Sequence, residues 1–408
     1  MVGTHLNHFN LLAIIRSKNR RRGGTFIVNI DQKESREIHD IIIIGSGPAG
    51  ISTALHLLKN SPHLAEHMLV LECAKHPREK LCAGGMLNDG DYILERLGLN
   101  CSEVPHIEVS EARFQFEGRG ISIKRDPQSF KVFRRREFDH WLVIEARKRG
   151  IRIEEEIQVL SIDIKEQGVA VKTNIGNYFS KLIVGADGAN SLVQRSIGKN
   201  SSQSMALELM TEPAQSEEFK QGFFDFSAIV EDVQGYVWRF PAIEGGKHFT
   251  TRGIYDARVI PRPRKNLKEV LHDYLIRDEL KLDDYEIKGK PIRFFNPNNT
   301  FSAPRVLLVG DAAGVDPIYG EGISFALGYG EVAAEEINDA FIKEEFSFSN
   351  YRERILKQPM GRCLVRRLWV ARLLYRFKNR PIQRLLWWRL GFVLKWYIEH
   401  RLIDWAKK

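Results

Sequence analysis

Four isoleucines in a row, residues 41–44, run straight into Gly45-Ser46-Gly47-Pro48-Ala49-Gly50. A β-branched run without polar alternation fits a strand buried on both faces, the signature of a central strand in a parallel sheet. The turn follows Gly-x-Gly-x-x-Gly and enters a helical pattern over residues 51–60. Gly45 permits the tight turn, Gly47 lets backbone approach a pyrophosphate, and Gly50 lets helix and strand pack closely. The phosphates would then face unpaired N–H groups at the positive end of the helix. A second apolar run, residues 68–71, ends at Glu72, which is spaced to accept hydrogen bonds from ribose hydroxyls.

Two later segments repeat the pattern of an apolar run ending in small residues and a carboxylate. Residues 181–184 lead into Gly185-Ala186-Asp187-Gly188, and residues 305–309 lead into Gly310-Asp311-Ala312-Ala313-Gly314. Asp187 and Asp311 read either as acceptors for a sugar-like chain across the strand ends or as turn and N-cap residues. Gly320 and Gly322 allow close approach of something flat, and residues 323–337 read as a helix aimed at it.

Together these segments resemble the three fingerprints of the glutathione-reductase-type flavoprotein fold, in its aromatic-hydroxylase-like branch, over residues 39–345. Two further stretches resemble the geranylgeranyl reductase family: Pro77-Arg78-Glu79-Lys80-Leu81-Cys82-Ala83-Gly84-Gly85, and Tyr236-Val237-Trp238-Arg239-Phe240-Pro241. The resemblance implies FAD extended across the sheet, touching Pro48, Ala49, Glu72, Cys82, Ala83, Gly85, Arg135, Val159, Asp311, Gly322 and Ile323. It implies an isoprenoid cavity lined by the Tyr236–Pro241 stretch, and saturation of isoprenoid carbon–carbon double bonds by hydride from reduced flavin. The chain departs from the family at Ala83, where glycine is usual. It departs again at Thr250-Thr251-Arg252-Gly253, where the family shows Gly-x-Gly.

Tyr236, Trp238 and Phe240 alternate along one strand face, a stripe that serves either as core packing or as the wall of a tunnel for a long apolar chain. Cys82 is either a small buried hydrophobe or a group beside the flavin that tunes or protonates the reacting centre. Cys82, a tyrosine and a held water are all open as proton donor. One dinucleotide fingerprint is present, so NAD(P)H would bind transiently or a small electron carrier would serve. Two other functions fit the scaffold: a monooxygenase or halogenase using flavin hydroperoxide, and a non-redox isoprenoid carrier. No Trp-x-Trp-x-x-Pro halogenase motif occurs.

Four cysteines without a Cys-x-x-Cys pair argue against a zinc or disulfide scaffold and fit a reducing, cytoplasmic compartment. The net charge of +9 sits at the ends of the chain. Residues 1–30 carry five Lys/Arg and no acid, and residues 361–408 carry thirteen Lys/Arg and two acids, which leaves −7 for the remainder. A nucleic-acid enzyme concentrates basic charge at its active groove, so this distribution argues against one. Five of the seven tryptophans lie in the C-terminal stretch. Helical spacing over residues 382–398 places Leu386, Trp387, Leu390, Val393, Leu394, Tyr397 and Ile398 on one face. That face suits peripheral contact with an anionic membrane or a lid docked on the acidic middle, and the two are compatible.

The expected organisation is an α/β, Rossmann-like FAD-binding domain with an inserted β-rich substrate domain and a C-terminal helical segment. Residues 1–38 form a basic arm, 39–200 and 301–345 the two parts of the FAD-binding domain, 201–300 the substrate domain and 346–408 the basic, aromatic helices. Oligomeric state is left open.

Overall fold

The structure is a computed structural model that describes residues 38–198, 202–212 and 220–407. The expected basic arm lies outside them apart from Ile38. Ile38–Ile44 is the centre of a sheet, paired in parallel with Met68–Leu71 on one side and Gly176–Gly185 on the other. Arg152–Glu154 and Val306–Leu308 extend it outward, also in parallel. Ile41, Ile42 and Ile43 have no solvent exposure, as an apolar run covered on both faces requires.

Two helices cross on one face of this sheet: Pro48–Asn60 and Ile323–Lys343. Their axes come close because Gly330 has no side chain. A Cβ there would stand 2.4 Å from the Ser52 hydroxyl oxygen. That hydroxyl donates to the Leu327 carbonyl at 2.7 Å and pins the crossing. The first helix begins at Pro48, three residues before the apolar periodicity. Proline suits a first helical turn, where its missing N–H would be unpaired in any case.

A second, seven-stranded sheet forms the other lobe. Its order is Lys288–Arg293, Gln203–Thr211, Lys247–Asp256, Gly235–Glu244, Gln221–Asp225, Glu111–Phe116, Arg119–Lys124. The last two strands come from within residues 39–200, expected as the first part of the FAD-binding domain, and carry part of that stretch into the second lobe. Residues 106–133 form four strands in succession. Glu111–Phe116 shows the period-2 burial of a half-covered strand, and it pairs in parallel with Gln221–Asp225. A small three-stranded sheet of Gly85–Leu87, Phe130–Phe133 and His106–Val109 bridges the two lobes.

The C-terminal stretch is not the single helix expected over residues 382–398. Wide i→i+5 turns at Leu385–Arg389 and Ile398–Leu402 flank the short helix Gly391–Tyr397. Each such turn shifts the phase of the side chains that follow. Trp387 and Ile398 consequently point inward, whereas Leu390 and Val393 turn outward. The stretch docks firmly. Trp405 stacks on Phe325 at 5.1 Å, and the Asp404 and Ala406 N–H groups donate to the buried Asp89 carboxylate. Among the described residues no helix is long and apolar enough to cross a membrane.

Candidate active site

A cavity of about 670 Å³ runs between the lobes, within the range usual for small-molecule sites. One end is built at the carboxyl ends of the parallel strands. There the chain leaves Ile44 through Gly45, whose φ of +107° is natural only to glycine and whose Cβ would meet the Ala186 carbonyl oxygen at 2.4 Å. Gly50 is equally constrained, since a Cβ would lie 2.0 Å from the Gly45 oxygen. Gly47 is different. A Cβ there would have only the Arg78 guanidinium within 4 Å, at 3.7 Å, so its missing side chain leaves space over the helix N-terminus.

Glu72 closes this end. Its carboxylate accepts from the Ser46 N–H at 3.0 Å, the Ser46 hydroxyl at 2.6 Å and the Ala74 N–H at 3.0 Å. Arg78 lies 3.5 Å away. Burial alone would raise its pKa, but Arg78 and these hydrogen bonds outweigh burial and hold it at about 2, against an ordinary 4.5. The Cys73 thiol also donates to this carboxylate at 3.4 Å, so its roughly four acceptor sites are taken, and a sugar hydroxyl would replace the weak thiol donor.

Cations gather beside it. Arg135 opens the helix Arg135–Lys148 and is held by a bidentate pair with Asp139, at 2.6 and 2.9 Å. Asp139 also holds Arg78 at 3.3 Å. Lys80 and Lys290 complete the group, with Lys290 lying 3.7 Å from Asp311. Burial, together with Lys290, Arg135 and Arg78, brings the Lys80 ammonium down to about 8. Positive charge therefore exceeds what the local acids neutralise.

The middle of the cavity is the loop that ends in Cys82, Ala83, Gly84 and Gly85. Gly84 takes a φ of +82°, and a Cβ there would overlap the Phe133 carbonyl. The Cys82 sulfur is half-buried and accepts from the Gly84 N–H at 3.4 Å. Opposite it, Gly322 caps the helix that starts at Ile323.

The far end is aromatic. Tyr236, Trp238 and Phe240 are buried and line the cavity from Gly235–Glu244. Phe224 lies 5.3 Å from Tyr236 and 4.9 Å from Phe240, and Phe114 stacks on Phe224 at 4.6 Å. These rings pack in the core and also line the cavity. Gly253 stands opposite Trp238 in the sheet, and any side chain there would strike the indole. The Trp238 Nε1 is buried without a hydrogen-bond partner. Beyond the rings, Ile398 and Ile403 of the C-terminal stretch also line the cavity.

Of the residues expected at a cofactor or substrate site, all line this cavity except Gly50 and Pro241. Gly50 acts behind the cleft, through helix packing. Pro241 continues the strand but is not part of the wall. Asp187 lines the cavity, yet its carboxylate accepts from Ser191 Oγ and from the Leu192 and Val193 N–H groups, which makes it a helix cap. Sequence reasoning gave no role to Asp139, Lys290, Phe224, Glu321 or Arg367. Arg78 and Lys80 were visible only as neighbours of Cys82.

The fold and cleft define a Rossmann-like dinucleotide-binding protein with a second β-sheet lobe closing over the cofactor end. The glycine cradle at Gly47, the acid at Glu72 and the unneutralised cations fit an extended dinucleotide with a pyrophosphate at its centre. The chain belongs to the FAD-binding domain family, whose profile matches residues 39–328. It is similar to a digeranylgeranylglycerophospholipid reductase of Methanococcus vannielii, at 27% identity over 79% of this chain and 81% of that protein. Among solved structures it resembles a geranylgeranyl bacteriochlorophyll reductase-like protein of Thermoplasma acidophilum, with a TM-score of 0.73 and 22% identity over 91% of this chain and 98% of that one. It also resembles the halogenase PltM bound to phloroglucinol and FAD, with a TM-score of 0.65 and 16% identity over 90% and 84%. At those identities the structural likenesses show the fold alone.

Proposed function

We propose that this protein is an FAD-dependent reductase that saturates carbon–carbon double bonds of a geranylgeranyl or related isoprenoid lipid. The observation that carries the reading is one continuous cavity, from Gly47 and Glu72 past Cys82 to a sleeve of Phe114, Phe224, Tyr236, Trp238 and Phe240. Similarity to the lipid reductase of Methanococcus vannielii supports it.

Gly45, Gly47, Pro48, Ala49, Glu72 and Arg135 would hold the dinucleotide half of FAD, with Val159 along its adenosine side. Cys82, Ala83, Gly85, Asp311, Gly322 and Ile323 would surround the ring. Bound there, FAD supplies an electron pair to carbon as hydride. The aromatic sleeve excludes water from an apolar chain, and its ring faces favour positive charge developing at an alkene carbon. The positive end of the helix Ile323–Lys343 would favour negative charge on the ring edge it faces. Electrons reach the flavin from NAD(P)H or a small carrier that binds transiently.

The C-terminal stretch gives the protein a membrane-facing side. Trp369, Leu373, Phe392 and Trp396 are each more than half exposed, among arginines and lysines. Interfacial tryptophan with basic flanks suits an anionic bilayer, from which the lipid would enter, and supports reading the protein as cytoplasmic and peripheral on that membrane.

Anaerobic incubation of the reduced enzyme with geranylgeranyl lipids should yield saturated product by mass spectrometry. Unchanged lipid beside stable reduced flavin would contradict the reading. A second reading is a monooxygenase or halogenase, since the same scaffold serves PltM. Rapid NAD(P)H-dependent oxygen uptake on adding a phenol, with no lipid saturation, would select it.

A further inference from the structure

Saturating an isolated alkene needs a proton as well as a hydride, so an acid must reach the chain within the cavity. Resting on the reductase reading above, we infer that Glu321 is the proton donor of the reaction.

Glu321 stands where the cofactor end of the cavity meets the aromatic sleeve. Gly322 follows it and caps the helix that faces the ring, while Tyr319, two residues before, contributes to the sleeve. Tyr319 lies 5.7 Å from Phe114, and its carbonyl accepts from the Tyr236 hydroxyl. Glu321 itself lines the cavity. One carboxyl oxygen, Oε1, accepts from the Ser324 N–H at 2.8 Å, and this bond fixes the side chain. The other, Oε2, is buried with no hydrogen-bond partner in the protein. A buried carboxylate in that state is costly, whereas a carboxylic acid directing its O–H into the cavity is not.

The surroundings agree. Burial raises Glu321 to about 7, opposed by the Ser324 N–H, by Arg367 and by the Ser324 hydroxyl, while Asp316 adds to the rise. Arg367 is already committed to Asp316 and to the Leu402 carbonyl. An acid poised near neutral pH serves proton transfer best. Glu208 is also raised to about 7 by burial, but it lies among Arg134, Lys288 and Lys290. Burial drives Tyr236, Tyr255 and Tyr319 far above their ordinary value, which leaves them weaker acids.

The O–H bond of Glu321 breaks, and the alkene π pair forms a C–H bond at the less substituted carbon. The adjacent carbon, now electron-poor and enclosed by rings, accepts a hydride whose two electrons come from reduced FAD. Glu321 is left as carboxylate and regains its proton from solvent.

Glu321→Gln separates this role from helix capping, because the amide oxygen can still accept from Ser324 N–H but the side chain carries no acidic proton. The variant should retain wild-type flavin content and spectrum while product formation falls roughly a hundredfold or more. Glu321→Asp should recover part of the loss. Independently of turnover, wild-type holoenzyme minus E321Q infrared difference spectra should show a protonated-carboxyl band that fades as pH rises through neutrality, over and above the band that Glu208, also raised to about 7, contributes to both. An E321Q enzyme that saturates lipid at the wild-type rate, or whose protonated-carboxyl signal equals the wild type's, overturns the assignment. A Cys82→Ala enzyme that loses turnover beside a fully active E321Q moves the proton to the thiol. A wild-type enzyme that makes no saturated lipid instead overturns the reductase reading underneath.

Discussion

Arg367 and Asp316 form an ion pair in which neither side chain has any solvent exposure, with Nη1 and Oδ2 2.5 Å apart. Arg367 belongs to the C-terminal helix Pro359–Arg376, and Asp316 to the loop after the third cofactor motif. Two more N–H groups of Arg367 donate to the Leu402 carbonyl, and its guanidinium lies over the Phe325 ring at 4.9 Å. One side chain thus joins the C-terminal stretch to the loop that forms the cavity floor.

Removing one partner leaves the other charge buried and alone. Arg367→Met or Asp316→Asn should each destabilise the protein by about 3–5 kcal/mol, measured by urea denaturation. The double variant should cost less than the sum. Additive losses would show that the two groups act separately.

Gly47 and Gly50 belong to one motif but should fail in different ways. Gly50→Ala drives a methyl into the Gly45 carbonyl, so thermal stability and FAD binding should fall together. Gly47→Ala meets nothing closer than 3.7 Å and sits at a φ of −71°, which any residue adopts. Its stability should match the wild type while FAD affinity drops. Full FAD affinity in G47A would remove the pyrophosphate from that position.

Lys80 gives the cofactor site a pH dependence. Its ammonium, brought down to about 8, loses its proton as pH rises through that value. A pyrophosphate beside it would favour the charged form, so FAD binding should take up a proton there and weaken roughly tenfold on the alkaline side. Fluorescence titrations of the apoprotein on both sides of that pH test this. The dependence should vanish in Lys80→Met, and its persistence there would assign it to another group.

The outward face of the C-terminal stretch should bind bilayers. Wild-type protein should co-sediment with vesicles containing anionic lipid and be released by salt, each basic residue near the surface being worth about 1 kcal/mol. Replacing Trp369, Phe392 and Trp396 together by serine should abolish co-sedimentation without loss of FAD. Unchanged binding would return this face to ordinary surface.

The cofactor end of the cavity was legible because its signals are local. Four isoleucines, the glycine spacing and Glu72 specify strand, turn and acid within about thirty residues. The stripe of Tyr236, Trp238 and Phe240 was legible from its period of two. The rest is long-range. Asp139 earns its place by holding Arg78 across the cavity wall, and Glu321 is notable only once its Oε2 proves to be partnerless. Glu111–Phe116 joins the second lobe because Gln221–Asp225 pairs with it from more than a hundred residues away. The wide turns that rotate Leu390 and Val393 outward leave no mark in the hydrophobic periodicity.

The most direct test of this account is the visible spectrum of the purified protein, taken before and after dithionite. We expect stoichiometric FAD with an oxidised-flavin band that bleaches on reduction. Colourless protein that takes up no FAD on reconstitution would contradict the account at its base.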